Sequence, residues 1–108
     1  MATKQDVRDF WDRASCGEEL YLKGSGEAYA NQARERYQRE PYILPFADFE
    51  SARDKSVLEI GVGLGADHEN FARAGAILSG IDLTPRAVAH TGERFARMGL
   101  KSDLAVGD

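Results

Sequence analysis

The sequence predicts an α/β protein in which two helices precede a β-α-β-α-β run that builds a small parallel sheet. Three observations predict it. Apolar residues recur at helical spacing through the front of the chain. A short β-rich run, Ser56-Val57-Leu58-Glu59-Ile60, then breaks at Gly61, Gly63 and Gly65. Beyond it, short apolar runs alternate with amphipathic segments of helix length, which implies parallel strands joined by right-handed crossovers.

Taken in order, Val7, Phe10, Trp11 and Ala14 fall at i, i+3, i+4 and i+7 and predict a first helix, ended by Cys16-Gly17. Gly24-Ser25-Gly26 reads as a turn. Tyr29, Ala33 and Tyr37 recur every fourth residue and predict a second helix over 27–40, stopped by Pro41. The apolar segment Tyr42 to Phe49 is expected to dock this front onto the rest. After polar Ser51 to Lys55 comes the first strand, then a helix from Ala66 to Ala74 with Gly75 in the left-handed closing position. The second strand is expected over Ala76 to Ile81. Thr84-Pro85 is a strong helix start, an N-cap followed by proline at the first helical position. Val88, Thr91, Phe95 and Met98 are expected on that helix's inner face, Gly99 at its end, and Leu104 to Val106 in a third strand.

Composition narrows the function classes. With 43% hydrophobic and 30% charged residues the chain is of ordinary globular composition, not a disordered one. Its net charge of −4, with no run of Lys or Arg, gives no electrostatic case for nucleic acid. Cys16 is the single cysteine, so no internal disulfide forms and a reducing compartment is expected. No signal peptide and no stretch of ~20 apolar residues is seen, so the expectation is a cytoplasmic protein with no membrane span.

The informative stretch is the strand that runs into three alternating glycines and then a helix. Glycine there allows positive φ and lets a ligand approach the backbone, while the following helix aims its free N–H groups at the loop. Acids accompany it at the strand ends: Glu59 on the first, Asp82 about 20 residues after the first glycine, where a ribose diol is gripped, and Asp108 after the third. Glycines and acids together favour a nucleoside pocket at one rim of the sheet.

Glu59-x-Gly61-x-Gly63-x-Gly65 after an apolar strand resembles the first motif of class I S-adenosylmethionine-dependent methyltransferases. Gly80-Ile81-Asp82-Leu83-Thr84-Pro85 is similar to that family's second-strand segment, and Val106-Gly107-Asp108 to the start of its third motif. The front, with Phe10-Trp11, Cys16-Gly17 and Arg36 to Ile43, resembles N-terminal extensions of bacterial members. The resemblance implies a Rossmann-like three-layer fold, here partial with about three strands, and S-adenosylmethionine as cofactor. By that resemblance Gly61, Gly63 and Gly65 cradle the methionine and ribose part, and Glu59 anchors hydrogen bonds beneath the loop or near the cofactor amine. Asp82 takes the ribose, with Leu83 and Asp108 at the adenine. The ligand's sulfonium and ammonium suit an acidic rim better than a pyrophosphate does.

The family builds a seven-stranded sheet, so residues 51–108 are expected to be a partial cofactor-binding region and residues 1–50 a helical extension or lid, together one truncated domain. The acceptor-side groups of the family follow a fourth strand, so no catalytic residue is assigned, and the methyl acceptor is expected to be a small molecule. The first strand is expected to stay uncovered, and such an edge invites dimerisation or exchange of elements. Two rival readings stand beside this one. Gly61-x-Gly63-x-x-Ala66 formally satisfies the dinucleotide fingerprint of an NAD-dependent oxidoreductase, although Glu59, Gly65 and the helical front fit it less well. The other rival is a non-catalytic module that associates through its sheet edge.

Other residues carry blander expectations. His68 reads as an exposed histidine at a helix start, Asp67 as a first-turn acid, and His90 as solvated, with no metal set around either histidine. Cys16 reads as a packed thiol, and Phe10 and Trp11 as core, with a lid as the minority reading. Tyr29 and Tyr37 indicate no more than an amphipathic helix, and Arg36 and Arg39 read as surface charges, with contact of one to a cofactor carboxylate as the alternative.

Overall fold

The computed structural model describes residues 3–7 and 27–108. The first helix, the Gly24–Gly26 turn, and the expectations for Phe10, Trp11 and Cys16 lie outside the described residues, apart from a helical turn at 4–7.

The element order is α1 (Ala28–Arg39), α2 (Ile43–Ala47), a 3-10 turn (Phe49–Ala52), β1 (Ser56–Ile60), α3 (Ala66–Ala74), β2 (Ile77–Asp82), α4 (Pro85–Met98) and β3 (Asp103–Val106). The three strands are parallel in the order β1-β2-β3, the partial Rossmann-like α/β architecture expected. β1, α3 and the start of α4 fall where the sequence puts them, while β2 and β3 are shifted or extended by one residue. Thr84 caps α4 by accepting the Ala87 N–H at 3.2 Å, and Pro85 follows at the first helical position, where its missing N–H costs nothing.

Both connecting helices lie on one face of the sheet. Gly80 and Leu104 are register partners and so share a face; His68 of α3 packs on Gly80, and Gly92 of α4 packs near Leu104. Two successive crossovers of one hand, advancing the same way along the sheet, require this. The core between helices and sheet holds Leu78, Ala74, Ala87 and Phe95. On the opposite face Leu58, Ile60 and Ile77 are 58%, 75% and 66% exposed, so among the described residues that face is uncovered.

Two expectations about packing are corrected. The segment from Tyr42 to Phe49 does not dock as a block: Tyr42, Leu44 and Phe46 are exposed, and only Phe49 is buried, edge-on to Phe71 with ring centroids 4.7 Å apart. α2 is only five residues long, and none of its residues is buried among the described residues. The inner face of α4 is Ala87, Thr91, Arg94 and Phe95 rather than Val88, Thr91, Phe95 and Met98. Arg94 displaces the apolar stripe because it has partners inside.

Those partners join the front to the α/β part. The Arg94 side chain is fully buried and donates to Glu69 Oε1 at 2.8 Å, Gln32 Oε1 at 2.8 Å, Leu64 O at 3.0 Å and Tyr29 O at 3.1 Å. Its guanidinium also lies 5.2 Å from the centre of the Tyr29 ring. One side chain thus ties α1, the glycine loop, α3 and α4. No helix among the described residues is long and apolar enough to cross a membrane.

Candidate functional site

The site begins where β1 ends. The loop from Gly61 to Gly65 turns away from the sheet with φ of +81° at Gly61, +58° at Gly63 and +90° at Gly65. Its backbone is held from three sides. The Gly61 N–H donates to Ile81 O at 2.8 Å, the Gly63 N–H to Asp82 Oδ2 at 3.0 Å, and Thr91 Oγ1 donates to Gly63 O at 3.0 Å. With the Gly63 and Leu64 carbonyls turned to Thr91 and Arg94, the uncapped first turn of α3 faces the hollow that the loop encloses.

That hollow measures about 180 Å³ and is lined by Gln32, Arg36, Glu59, the loop from Gly61 to Gly65, Ala66 and Asp67. A Cβ on Gly61 or Gly63 would meet nothing within 4 Å, so bare backbone borders open space there. Gly65 differs: a Cβ would stand 2.9 Å from Thr91 Oγ1, so this glycine is demanded by packing on α4. A wider, open depression of about 590 Å³ lies at the other end of the strands, beside Ile77, Leu100, Lys101 and Ser102. Open α/β sheets bind ligands at the carboxyl ends of their strands, which favours the smaller hollow.

Of the residues read from the sequence, Glu59, Gly61, Gly63 and Gly65 line one hollow. Asp82 stands against the loop, with Oδ2 on Gly63 N–H and Oδ1 on Thr84 N–H at 3.2 Å; each carboxylate oxygen keeps capacity for a further donor. Leu83 follows it, half-buried. The Gly107 N–H donates to Asp82 O at 2.8 Å, which sets Asp108 on the same rim, where its exposed carboxylate meets Lys4 at 2.6 Å.

Four residues of the site or its support were missed or misread. His68 is corrected from exposed to fully buried: Nδ1 lies 2.8 Å from Glu59 Oε1 and Nε2 2.7 Å from Ser102 Oγ. Its place three residues before Phe71, on the stripe of α3 that faces the sheet, was the available signal. Arg36, read as a surface charge, lines the hollow and forms a two-pronged pair with Asp67, at 3.2 and 2.8 Å. Gln32 and Arg36 share a stripe with Tyr29, so the working face of α1 is rotated from the Tyr29, Ala33, Tyr37 face. Arg94 stood between Thr91 and Phe95, a charge inside a buried stripe, which indicates paired burial.

Near the site, the proton affinities of Tyr37 and Glu69 are displaced in opposite directions. Burial, then the hydrogen bond to Asp67 at 2.7 Å, pushes the Tyr37 hydroxyl well above the ordinary tyrosine value, so it stays a donor. Burial works against the Glu69 carboxylate, but hydrogen bonds from Arg73 and Arg94 and their charges outweigh it and hold Glu69 below its ordinary 4.5. Among the described residues no group of His, Cys, Asp and Glu is arranged to hold a metal.

No family model matches the chain, and no curated protein matches it. A solved structure does match: a protein described in connection with the conversion of a disulfide bond into a thioacetal group during echinomycin biosynthesis. It is 28% identical, covers 62% of this chain, and superposes with a TM-score of 0.52; this chain spans 28% of that protein's length. The likeness supports a methyltransferase-like fold.

Proposed function

We propose that this chain is the S-adenosylmethionine-binding part of a methyltransferase acting on a small molecule. The observation that carries the proposal is the hollow itself. Bare glycine backbone, the uncapped start of α3, one cation (Arg36) and two acids (Glu59 and Asp67) surround a space of about 180 Å³. An α-amino-acid end, with an ammonium and a carboxylate a few ångströms apart, complements that mixture of charges. A pyrophosphate does not, because Glu59 and Asp67 would repel it.

The hollow is smaller than the ~300–1,000 Å³ of sites that enclose a drug-sized ligand. It therefore takes one end of the cofactor, and the adenosine end extends along the rim marked by Asp82, Leu83 and Asp108. When bound, the cofactor supplies a methyl group on an electrophilic sulfonium. The chain's own work is positional: Glu59 and Asp67 accept from the ammonium, Arg36 and the first turn of α3 meet the carboxylate, and Asp82 accepts from the ribose hydroxyls. Holding the sulfonium in one orientation makes the displacement effectively unimolecular once an acceptor is in line.

The biosynthetic setting of the similar structure supports a small-molecule acceptor, and the single cysteine supports a cytoplasmic location. The face and edge of β1 that no described residue covers support pairing with a second copy. The cofactor proposal is tested by equilibrium dialysis of the chain against labelled S-adenosylmethionine. Saturable retention of label that Gly63→Val abolishes is expected; no retention by the wild type refutes it.

A further inference from the structure

The hydrogen-bonded line Glu59–His68–Ser102 runs from the hollow through the core to the start of β3. Its centre has no freedom. The His68 ring is fully buried, lies 5.1 Å from the Phe95 ring at 33°, and sits over Gly80, where a Cβ would stand 2.7 Å from Cε1. Ser102 Oγ lies 2.7 Å from Nε2 and 3.2 Å from Leu78 O, bridging the ring and the backbone of β2. The ring is therefore fixed by packing on its faces and by a braced hydroxyl at its far end.

The near end bears on the hollow. An ionised carboxylate only accepts, so Nδ1 carries the hydrogen of the 2.8 Å bond to Glu59 Oε1. Among the described residues this is the only hydrogen bond of the Glu59 carboxylate, and Glu59 lines the hollow. We infer that His68 is the positioning residue of the cofactor site. It holds one oxygen of Glu59 so that the other is presented, without further loss of rotamer freedom, to the ammonium of the bound amino-acid end. The inference rests on the cofactor reading given above. The serine-histidine-acid order is also that of a hydrolytic triad, but here His68 has no exposed surface and Ser102 stands at the opposite end of the strands from the hollow. The line holds a carboxylate; it does not attack a substrate.

The test is titration calorimetry of the chain with two ligands. S-adenosylhomocysteine carries the amino-acid end; methylthioadenosine shares its adenosine and thioether and lacks that end. His68→Leu should weaken the first on the order of tenfold, the scale of one charge-assisted hydrogen bond, and leave the second within about twofold. His68→Asn, whose amide nitrogen stands near the Nδ1 position, should restore most of the difference, whereas His68→Gln, whose amide reaches toward Ser102, should not. The Asn and Gln pair keeps the test decisive if the Leu variant does not fold. Equal losses for both ligands, or Asn and Gln behaving alike, overturn the role of His68 while wild-type binding of S-adenosylhomocysteine leaves the cofactor reading standing. A wild type that binds neither ligand overturns the cofactor reading itself.

Discussion

Gly63 and Gly65 stand two residues apart on one loop, and the structure requires glycine at each for a different reason. At Gly65 a side chain would collide with Thr91 and would also have to adopt φ of +90°. Gly65→Ala should therefore cost roughly 2–4 kcal/mol, combining left-handed strain with overpacking, read as a loss of stability in urea unfolding. At Gly63 the Cβ meets open space. Gly63→Ala should cost only about 1–2 kcal/mol, while intruding on the hollow and lowering cofactor affinity. If the two variants lose stability equally, the division between a packing glycine and a binding glycine is wrong. Tyr37 gives a second test at this scale. Its raised value means its hydrogen bonds stabilise the fold fully below the ordinary tyrosine value of 10.0 and are lost as pH rises through the folded value. Ultraviolet titration should show a late-ionising step, and Tyr37→Phe should remove it.

At the scale of elements, the sequence announced β1, α3 and α4 clearly because their boundaries are marked locally, by glycine at Gly61 and Gly75 and by the Thr84-Pro85 cap. It announced helix faces less well. Periodicity finds apolar side chains, and the residues that turn inward on α1, α3 and α4 include Gln32, His68 and Arg94, whose burial depends on partners far away in sequence. The acids and glycines of the site were legible for the opposite reason: a strand followed by spaced glycines fixes where the loop must be. Arg36 was not, because its place at the hollow follows from how α1 packs on α3. Arg94→Met should destabilise by about 3–5 kcal/mol by leaving Glu69 and Gln32 without their buried partner, and Arg94→Lys should not rescue it, since an ammonium lacks the planar fork. Glu69 adds a pH dependence. Its lowered value means its contribution is complete above 4.5 and is lost as pH falls through the folded value. Chemical denaturation across that acid range should show a shallower slope in Glu69→Gln.

For the molecule as a whole, the described residues cover the sheet on one face only. Purely parallel sheets are covered on both, and here Leu58, Ile60 and Ile77 face outward beside the free edge of β1. The chain is therefore expected to self-associate. Sedimentation velocity should show dimer at high concentration, dissociating on dilution and abolished by Leu58→Lys with Ile60→Lys; a monomer at every concentration would contradict this. Calorimetric titration of the chain with S-adenosylhomocysteine and, separately, with NAD tests the central claim most directly. Saturable one-site binding of S-adenosylhomocysteine with no heat from NAD is the predicted result. Binding of NAD in its place, or of neither, would contradict the account.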